Sequence, residues 1–389
     1  MPAPIDPTAL VTAAQTALPQ ILADIERVIS IETPSDDKEA VARGAAEFAD
    51  LIEERLGVRP ETLVIGETTH LRLRFGADND GSEGSAKVVL VNHQDTVWPH
   101  GTLERKPVEI EDGVLRGPGC FDMLTGAVMS IHATRMLQEQ LGTSALDGLT
   151  ILVTGDEEIG STDSSDLIVA EAKGANAAFV MEASAHGALK VARKGTSDYR
   201  VTVTGRAAHS GLEPEKGVNA LVELAHQVQV VAGLGDEEAG TTVVPTKFAG
   251  GTTTNTVPAE GTFAVDVRCR TVAEQERVDA AIRALTPQLP GATIAVTGGI
   301  NRPPLENSMT AGLFERAVAV SADLGIDAPE GVAVGGASDG NFTAAAGVPT
   351  LDGLGADGDG AHAEHEHAIV DQIPPRTARL AALIADQLG

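Results

Sequence analysis

Residues Leu149–Ser161 read LTILVTGDEEIGS. The stretch opens as a short apolar run, LTILV, with the length and residue types of a strand buried on both faces. It breaks at Gly155, sets Asp156, Glu157 and Glu158 side by side, and closes the turn with Gly160. Adjacent carboxylates at the end of a buried strand repel one another and lose hydration. A solvated loop carries such a triplet without difficulty, and a metal ion offsets it. A hydrolytic metal site needs one carboxylate as ligand and a second, unligated, as the base that takes a proton from water. Neighbouring residues on a turn point in different directions, so Glu157 and Glu158 can divide those tasks. Any other ligands must come from elsewhere in the chain.

Two further apolar runs end in the same way. Ala86–Val91, AKVVLV, leads into Asn92-His93-Gln94-Asp95. A histidine at a strand's carboxyl end with an aspartate two residues on fits a metal ligand and the carboxylate that orients it; a lone structural histidine has the same local appearance. Ala177–Met181, AAFVM, ends at Glu182. Between these runs, RGPGCFDM (116–123) is a Gly/Pro loop that delivers Asp122 to the start of a patterned helix over Thr125–Leu141. Capping that helix is the commoner role for such an aspartate. In open α/β sheets, sites gather outside the carboxyl ends of the strands. His93, Asp122, Glu157, Glu158 and Glu182 are therefore expected at one edge, and their common position carries more weight than any one of them.

The chain has 389 residues, enough for two domains, and 42% hydrophobic residues, enough for a full core. Its formal net charge of −28 argues against nucleic acid or an anionic membrane as partner. Cys120 and Cys269 are the only cysteines. They imply neither a disulfide framework nor a cysteine-rich zinc module, so a metal site must be built from His, Asp and Glu. The sequence contains no apolar run of membrane-spanning length and no signal-peptide pattern at MPAPIDPTAL. A cytoplasmic enzyme is expected.

Patterning divides the chain. Helices are expected over Thr8–Ser30 and Lys38–Leu56, and a strand over Thr69–Phe75. Near Gly195 the pattern changes to half-exposed alternation: Tyr199, Val201 and Val203, then a helix over Asn219–Val231, a strand over Phe248–Pro258, a strand at Phe263–Val267, a helix over Ala273–Leu289 and a strand at Ala292–Val296. That β-α-β-β-α-β order predicts a ferredoxin-like α+β module over 195–305, inserted into an α/β domain made of 1–194 and 306–389. The expected α/β domain is a mixed, largely parallel sheet flanked by helices. The insert contains Ala207-Ala208-His209-Ser210-Gly211, which alone reads as a surface loop. After Glu306 come a helix over Thr310–Leu324, a strand at Val332–Val334, GGASDGN (335–341), VPTLDGLG (348–355), GAHAEHEH (360–367) and a helix over Pro375–Leu388.

Taken together, these motifs resemble one family. NHQDTV is similar to its GHxDTV, RGPGCFDM to its RGPGxxDMKGG, and GDEEIGS to its DEExGS. Glu182, AAHSG, TNTVP…DVR and GAHAEHE follow in its order. The family is that of co-catalytic dizinc amidohydrolases and exopeptidases, including glutamate carboxypeptidase, aminoacylase, acetylornithine deacetylase and succinyl-diaminopimelate desuccinylase. The likeness covers nearly the whole chain. GGASDGNF and GAHAEHEHAIV look closest to the glutamate carboxypeptidase branch.

The resemblance implies two zinc ions, with cobalt or manganese as substitutes for the same donors. Asp122 would bridge them, His93 and Glu182 would complete one, and Glu158 and His362 the other. Glu157 would be the general base, and Asp95 would orient His93. His209 would reach the active site of a partner subunit in a homodimer. Asn255 and Arg268 would hold substrate, a small peptide or N-acyl amino acid, with Arg268 on its carboxylate. The insert would serve as dimerisation and lid domain, and the Asp122–Met123 peptide would be cis. The reaction implied is hydrolysis of an amide beside a free carboxylate: release of a C-terminal glutamate or similar residue, or removal of an acyl group as in an aminoacylase. Asn92, Leu124, Thr125 and Ala183 depart from the usual residues without removing a ligand. His365 and His367 compete with His362, which is preferred because it follows Gly360-Ala361 as the motif does. A different chemistry is also written here: Gly336-Ala337-Ser338-Asp339-Gly340 fits the G-x-S-x-G elbow of serine hydrolases. That reading leaves the strand-end carboxylates unexplained.

Overall fold

The computed structural model describes residues 6–389, which divide into two compact units. The larger holds the chain up to Ala192 with Asn307–Val334 and Ser338–Gly389; the smaller holds Arg193–Glu306 with Gly335–Ala337.

The larger unit is built on a six-stranded sheet in the order Glu61–Ile65, Thr68–Arg74, Leu149–Thr154, Val88–His93, Ala177–Val180, Thr350–Leu351. The last four strands are parallel, and the first two run antiparallel to their neighbours. Parallel neighbours need crossover connections, and helices Thr125–Leu141 and Ser165–Ala172 lie in them. Alternate side chains of the central strands enter two different cores. Val88, Leu90, Ile151, Val153 and Phe179 pack with helix residues such as Leu10, Ile21, Val128, Ile131, Leu380 and Ile384. Val89, Val91, Leu152, Ala178 and Val180 pack on the other face with Ile168, Ala172 and Phe342. Burial on both faces is why these strands read as unbroken apolar runs. Each Val, Leu, Ile or Phe among them contributes about 1.5–3 kcal/mol on removal from water.

Local chemistry sets the helix ends. Asp37 accepts from the amides of Glu39 and Ala40 to start Lys38–Leu56, and Gly57 ends that helix in the left-handed region. A second, small antiparallel sheet runs Gly358–Asp359, His367–Ile369, Val114–Arg116, Glu109–Glu111. It was not anticipated from sequence, and neither was strand Glu61–Ile65, which is mostly exposed.

The smaller unit is a four-stranded antiparallel sheet in the order Thr242–Gly250, Glu260–Cys269, Gly195–Thr204, Thr293–Arg302, with helices Ala220–Ala232 and Val272–Arg283. Tyr199, Val201, Val203, Phe263, Val265 and Val267 share its core with Leu224 and Val278 from the helices. Three boundaries differ from expectation. The strand expected over Phe248–Pro258 lies earlier, at Thr242–Gly250, because the chain leaves the sheet at Gly250-Gly251. The helix expected to reach Leu289 ends at Arg283, ahead of Pro287, which disfavours helical geometry in the residue before it. The last strand runs on to Arg302 across Gly298-Gly299. Among the described residues, no helix is long and apolar enough to cross a membrane.

Candidate active site

Strand register brings the first ligand candidates together. Val91 lies opposite Val180 in the parallel pair, so His93 and Glu182, each two residues further on, leave the sheet level with one another. His93 lies opposite Thr154, so the Gly155–Glu158 turn leaves at the same edge. Nε2 of His93 is 3.6 Å from Oε1 of Glu182 and 3.5 Å from Oδ1 of Asp122. Asp122 arrives on the loop that follows strand Val114–Arg116, and its peptide bond to Met123 is cis.

The Gly155–Glu158 turn divides its carboxylates. A side chain at Gly155 would collide with Val41 and the carbonyl of Thr69, so the chain passes close to the sheet there. Asp156 points inward, accepting from the amides of Asp163 (2.7 Å) and Ser164 (3.2 Å) and from the Ser164 hydroxyl (2.6 Å). Glu157 lies with His93 and Glu182, their candidate ligand atoms within 4.8 Å of one another, and Glu158 lies likewise with His93 and Asp122. His362 reaches the cluster from the hairpin of the small sheet. Its Nε2 is 3.0 Å from Oε2 of Glu158 and 3.3 Å from Oδ2 of Asp122. His362 has φ +62°, a conformation costly for a residue with a side chain and common at functional positions.

Asp95 is fully buried and does more than face His93. Its carboxylate accepts from the amides of Glu157 and Glu158, both at 3.2 Å, and from the Ser35 hydroxyl at 2.6 Å. Nδ1 of His93 is 3.0 Å from the Asp95 carbonyl oxygen and 3.5 Å from its carboxylate. Asp95 thus steadies the glutamate turn and the histidine together.

The donor set fits two cations. Nε2 of His93, Oδ1 of Asp122 and Oε1 of Glu158 are buried without a hydrogen-bond partner. In a tetrahedral zinc site with bonds of about 2.0–2.1 Å, ligand atoms stand roughly 3.3 Å apart. The observed separations of 3.0–3.6 Å around Asp122 match that spacing, and most exceed ordinary hydrogen-bond length. With protons alone, the carboxylates crowd one another. Burial, together with repulsion from Asp122, pushes Glu158 up to about 7. Hydrogen bonds to Asp122 and Glu158 raise His362 to about 10. Burial alone would lower His93, but Asp122, Asp95 and Glu182 outweigh it and raise it well above its ordinary value.

Sequence reading passed over several neighbours of this cluster. Glu366, 1% exposed, accepts from backbone amides of the Asp122 loop and from the indole of Trp98. Its sequence signal was its place at the end of the GAHAEHE motif, four residues after His362, where no role was assigned to it. Lys190 Nζ lies 3.6 Å from Oε2 of Glu182. His365 is exposed, 3.9 Å from Asp359. Ser338 is buried, and its hydroxyl donates to Asp352 at 2.6 Å and accepts from the Gly340 amide. This is a structural serine inside the fold, whereas an elbow exposes its nucleophile.

The remaining site candidates lie in the smaller unit. Exposed His209 and Asn255 come together where Ala208–His209 pairs with Thr256–Val257, and the Ser210 amide donates to the Asn255 carbonyl at 2.9 Å. Arg268 stands elsewhere, opposite Thr196 on strand Glu260–Cys269, where it is held by Asp266 through Nε and Nη2.

A mixed sheet at whose carboxyl edge three glutamates and two histidines gather around one shared aspartate, one of the histidines arriving from the small sheet, defines a class, the metal-dependent peptidases and amidohydrolases. Residues 89–386 match the model of peptidase family M20/M25/M40, and the chain belongs to that family. It is 31% identical to carboxypeptidase G2 of Pseudomonas sp. (strain RS-16) over 392 residues, covering 97% of this chain and 91% of that one. It is 27% identical to succinyl-diaminopimelate desuccinylase 1 of Ruegeria sp. (strain TM1040) over 268 residues, covering 64% and 66%. In fold it is similar to aminopeptidase PepT from Bacillus cereus ATCC 10987, with a TM-score of 0.68 at 20% identity, covering 95% of this chain and 98% of that one.

Proposed function

We propose that this enzyme is a dimetal carboxypeptidase that releases glutamate or a similar amino acid from the C-terminus of peptides or N-acyl conjugates. The observation that carries the reading is Asp122 standing between two donor pairs, His93/Glu182 and Glu158/His362. The likeness to carboxypeptidase G2 over nearly the whole chain supports the carboxypeptidase assignment. The desuccinylase likeness favours a second reading, removal of an acyl group from an amino acid by the same site.

In this reading Asp122 would be shared by the two ions, with His93 and Glu182 holding one and Glu158 and His362 the other. When bound, two zinc ions, or cobalt or manganese in their place, supply Lewis acidity to the scissile carbonyl and lower the pKa of water. Glu157 takes the proton of the attacking water and hands it to the leaving amine. Asp95 holds the Glu157 and Glu158 amides, so that one carboxylate faces the reacting atoms and the other the donors. Arg268 receives the substrate carboxylate bidentately, exchanging Asp266 for it. His209 donates to the developing oxyanion, and Asn255 holds the substrate beside it.

The reading includes a homodimer. Arg268 lies eight residues along its strand from Glu260, the end nearer the His209–Asn255 pair, which is roughly 26 Å at strand rise. That separation is too long for one small substrate to span within one copy of the smaller unit, which supports taking the three residues from two copies. The outer strand Thr242–Gly250 supports an interface, with Val244 49% and Phe248 55% exposed along an unpaired edge. Two buried free cysteines, Cys120 and Cys269, suit a cytoplasmic enzyme.

A panel of peptidyl-glutamates, N-acyl-glutamates and other N-acyl amino acids tests the proposal, with chelator and with zinc added back. Glutamate release that stops with chelator and returns with zinc is expected. Release of other amino acids only would move the enzyme to the acylase reading. Turnover indifferent to the chelator would overturn both.

A further inference from the structure

We propose that Glu366 is a positioning residue that fastens the Asp122 loop to the His362 hairpin, so that the two halves of the metal centre form together. The inference rests on the dimetal reading above. The Glu366 carboxylate lies inside the protein with both oxygens engaged. One accepts from the amides of Phe121 (3.0 Å) and Asp122 itself (3.1 Å); the other accepts from the Gly119 amide (3.0 Å) and from Nε1 of Trp98 (2.7 Å). Four donors meet the acceptor capacity of one carboxylate.

Both ends of this strut carry ligands. Gly119, Phe121 and Asp122 belong to the loop that presents Asp122. Glu366 lies four residues after His362, in the hairpin between Gly358–Asp359 and His367–Ile369. The hairpin is closed by the Glu366 amide on the Ala363 carbonyl (3.0 Å) and the Ala363 amide on the Gly360 carbonyl (2.8 Å). Lys106 fastens the same place. Its Nζ is 3.7 Å from Glu366, donates to the Ala363 carbonyl at 3.4 Å and sits 4.3 Å from the centre of the Trp98 ring.

The charge and length of this side chain are specific to the task. Glutamine offers an NH₂ group where the carboxylate has its second oxygen, and that group would face N–H donors. Aspartate falls one methylene short. An apolar residue would leave three amides buried and unpaired. The remaining ligands are anchored independently: His93 and Glu182 by the main sheet, and Glu158 by the turn that Asp95 holds. Loss of Glu366 therefore disturbs two of the three donors on the Glu158/His362 side, but only Asp122 on the His93/Glu182 side.

Calorimetric titration of metal-stripped full-length protein with zinc ion tests this. The unaltered enzyme should bind two zinc ions. Glu366→Gln should bind one with little change and the other about 10–100-fold more weakly, the usual effect of removing a group that orients ligands. Cobalt(II) absorption should show the same split. A purely structural role would lower thermal stability and leave the two affinities unaltered relative to each other. If Glu366→Gln does not fold by circular dichroism, Trp98→Phe removes one donor, keeps the carboxylate, and should weaken the same single position by less. Two zinc ions bound with unaltered affinity, or weakened equally, would overturn the inference. Absence of zinc binding by the unaltered enzyme would instead refute the dimetal reading.

Discussion

Glu157→Gln keeps the shape of the side chain and removes its ability to take a proton. Glu157 and Glu158 both reach the cluster, Glu157 with His93 and Glu182, Glu158 with His93 and Asp122. Proximity alone does not separate base from ligand; the surroundings of Glu158 support its proposed role as ligand. Glu158 has Oε2 3.0 Å from Nε2 of His362 and a buried Oε1 without a hydrogen-bond partner, the condition of an atom awaiting a cation. If Glu157 is the base, its loss removes proton transfer and leaves every donor in place. General acid–base catalysis contributes about 10²–10⁴-fold, so kcat should fall by that factor, or about 2.7–5.4 kcal/mol at ~1.36 kcal/mol per decade. Metal content should stay at two. Glu158→Gln should instead leave only Asp122 and His362 on its side, and metal content should fall towards one. Elemental analysis of gel-filtered protein, with kcat measured on the same batch, reads both. Equal metal content in the two variants, or loss of a metal ion from Glu157→Gln, would refute this division of roles.

Two other predictions follow from features remote from the chemistry. Asp24 is 2% exposed and accepts from Arg55 through Nε (2.7 Å) and Nη2 (2.6 Å), from His132 Nε2 (2.7 Å) and from Gln20 (3.0 Å). Asp24→Ala leaves that guanidinium only the exposed Glu54, 3.8 Å away, and should cost about 3 kcal/mol, the low end for breaking a buried ion pair, measured by urea unfolding. Burial acts to raise the Asp24 carboxyl, but the hydrogen bonds from Arg55, His132 and Gln20 outweigh it and hold it well below the usual range. Its contribution should therefore be complete above the unfolded carboxylate pKa of about 3.9 and fade as pH falls below it, so the gap between the two proteins should narrow in acid. A constant gap down to the acid limb would contradict this. In the smaller unit, Phe248→Glu places a charge on the exposed outer strand and should convert a dimer to monomer by sedimentation, with activity lost at the same time. A variant that remains dimeric removes that strand from the interface.

Much of the larger unit was legible because its central strands are buried on both faces. Such strands must be apolar throughout, and the first polar residue after each run marks where the chain leaves the sheet. His93, Glu182 and the Gly155–Glu158 turn could be placed at one edge on that basis. The outer strands gave weaker signals. Glu61–Ile65 is mostly exposed, and Thr350–Leu351 is a two-residue edge strand inside a longer strand-like piece. Thr242–Gly250 was read several residues late because its exposed side chains break the alternation.

The sequence by itself determined the buried central strands, the main helices and the chemical types at their ends, because hydrophobic periodicity and turn residues are local properties. Only the tertiary structure decided which carboxylates face the cluster and which serve the backbone. Asp156 sits beside two glutamates at the cluster, yet turns inward to accept from Asp163 and Ser164. Asp95 spends its carboxylate on the Glu157 and Glu158 amides, and Glu366 joins two loops that are distant in sequence. A carboxylate is directed by the N–H donors around it. Those donors belong to segments that meet only when the chain has folded.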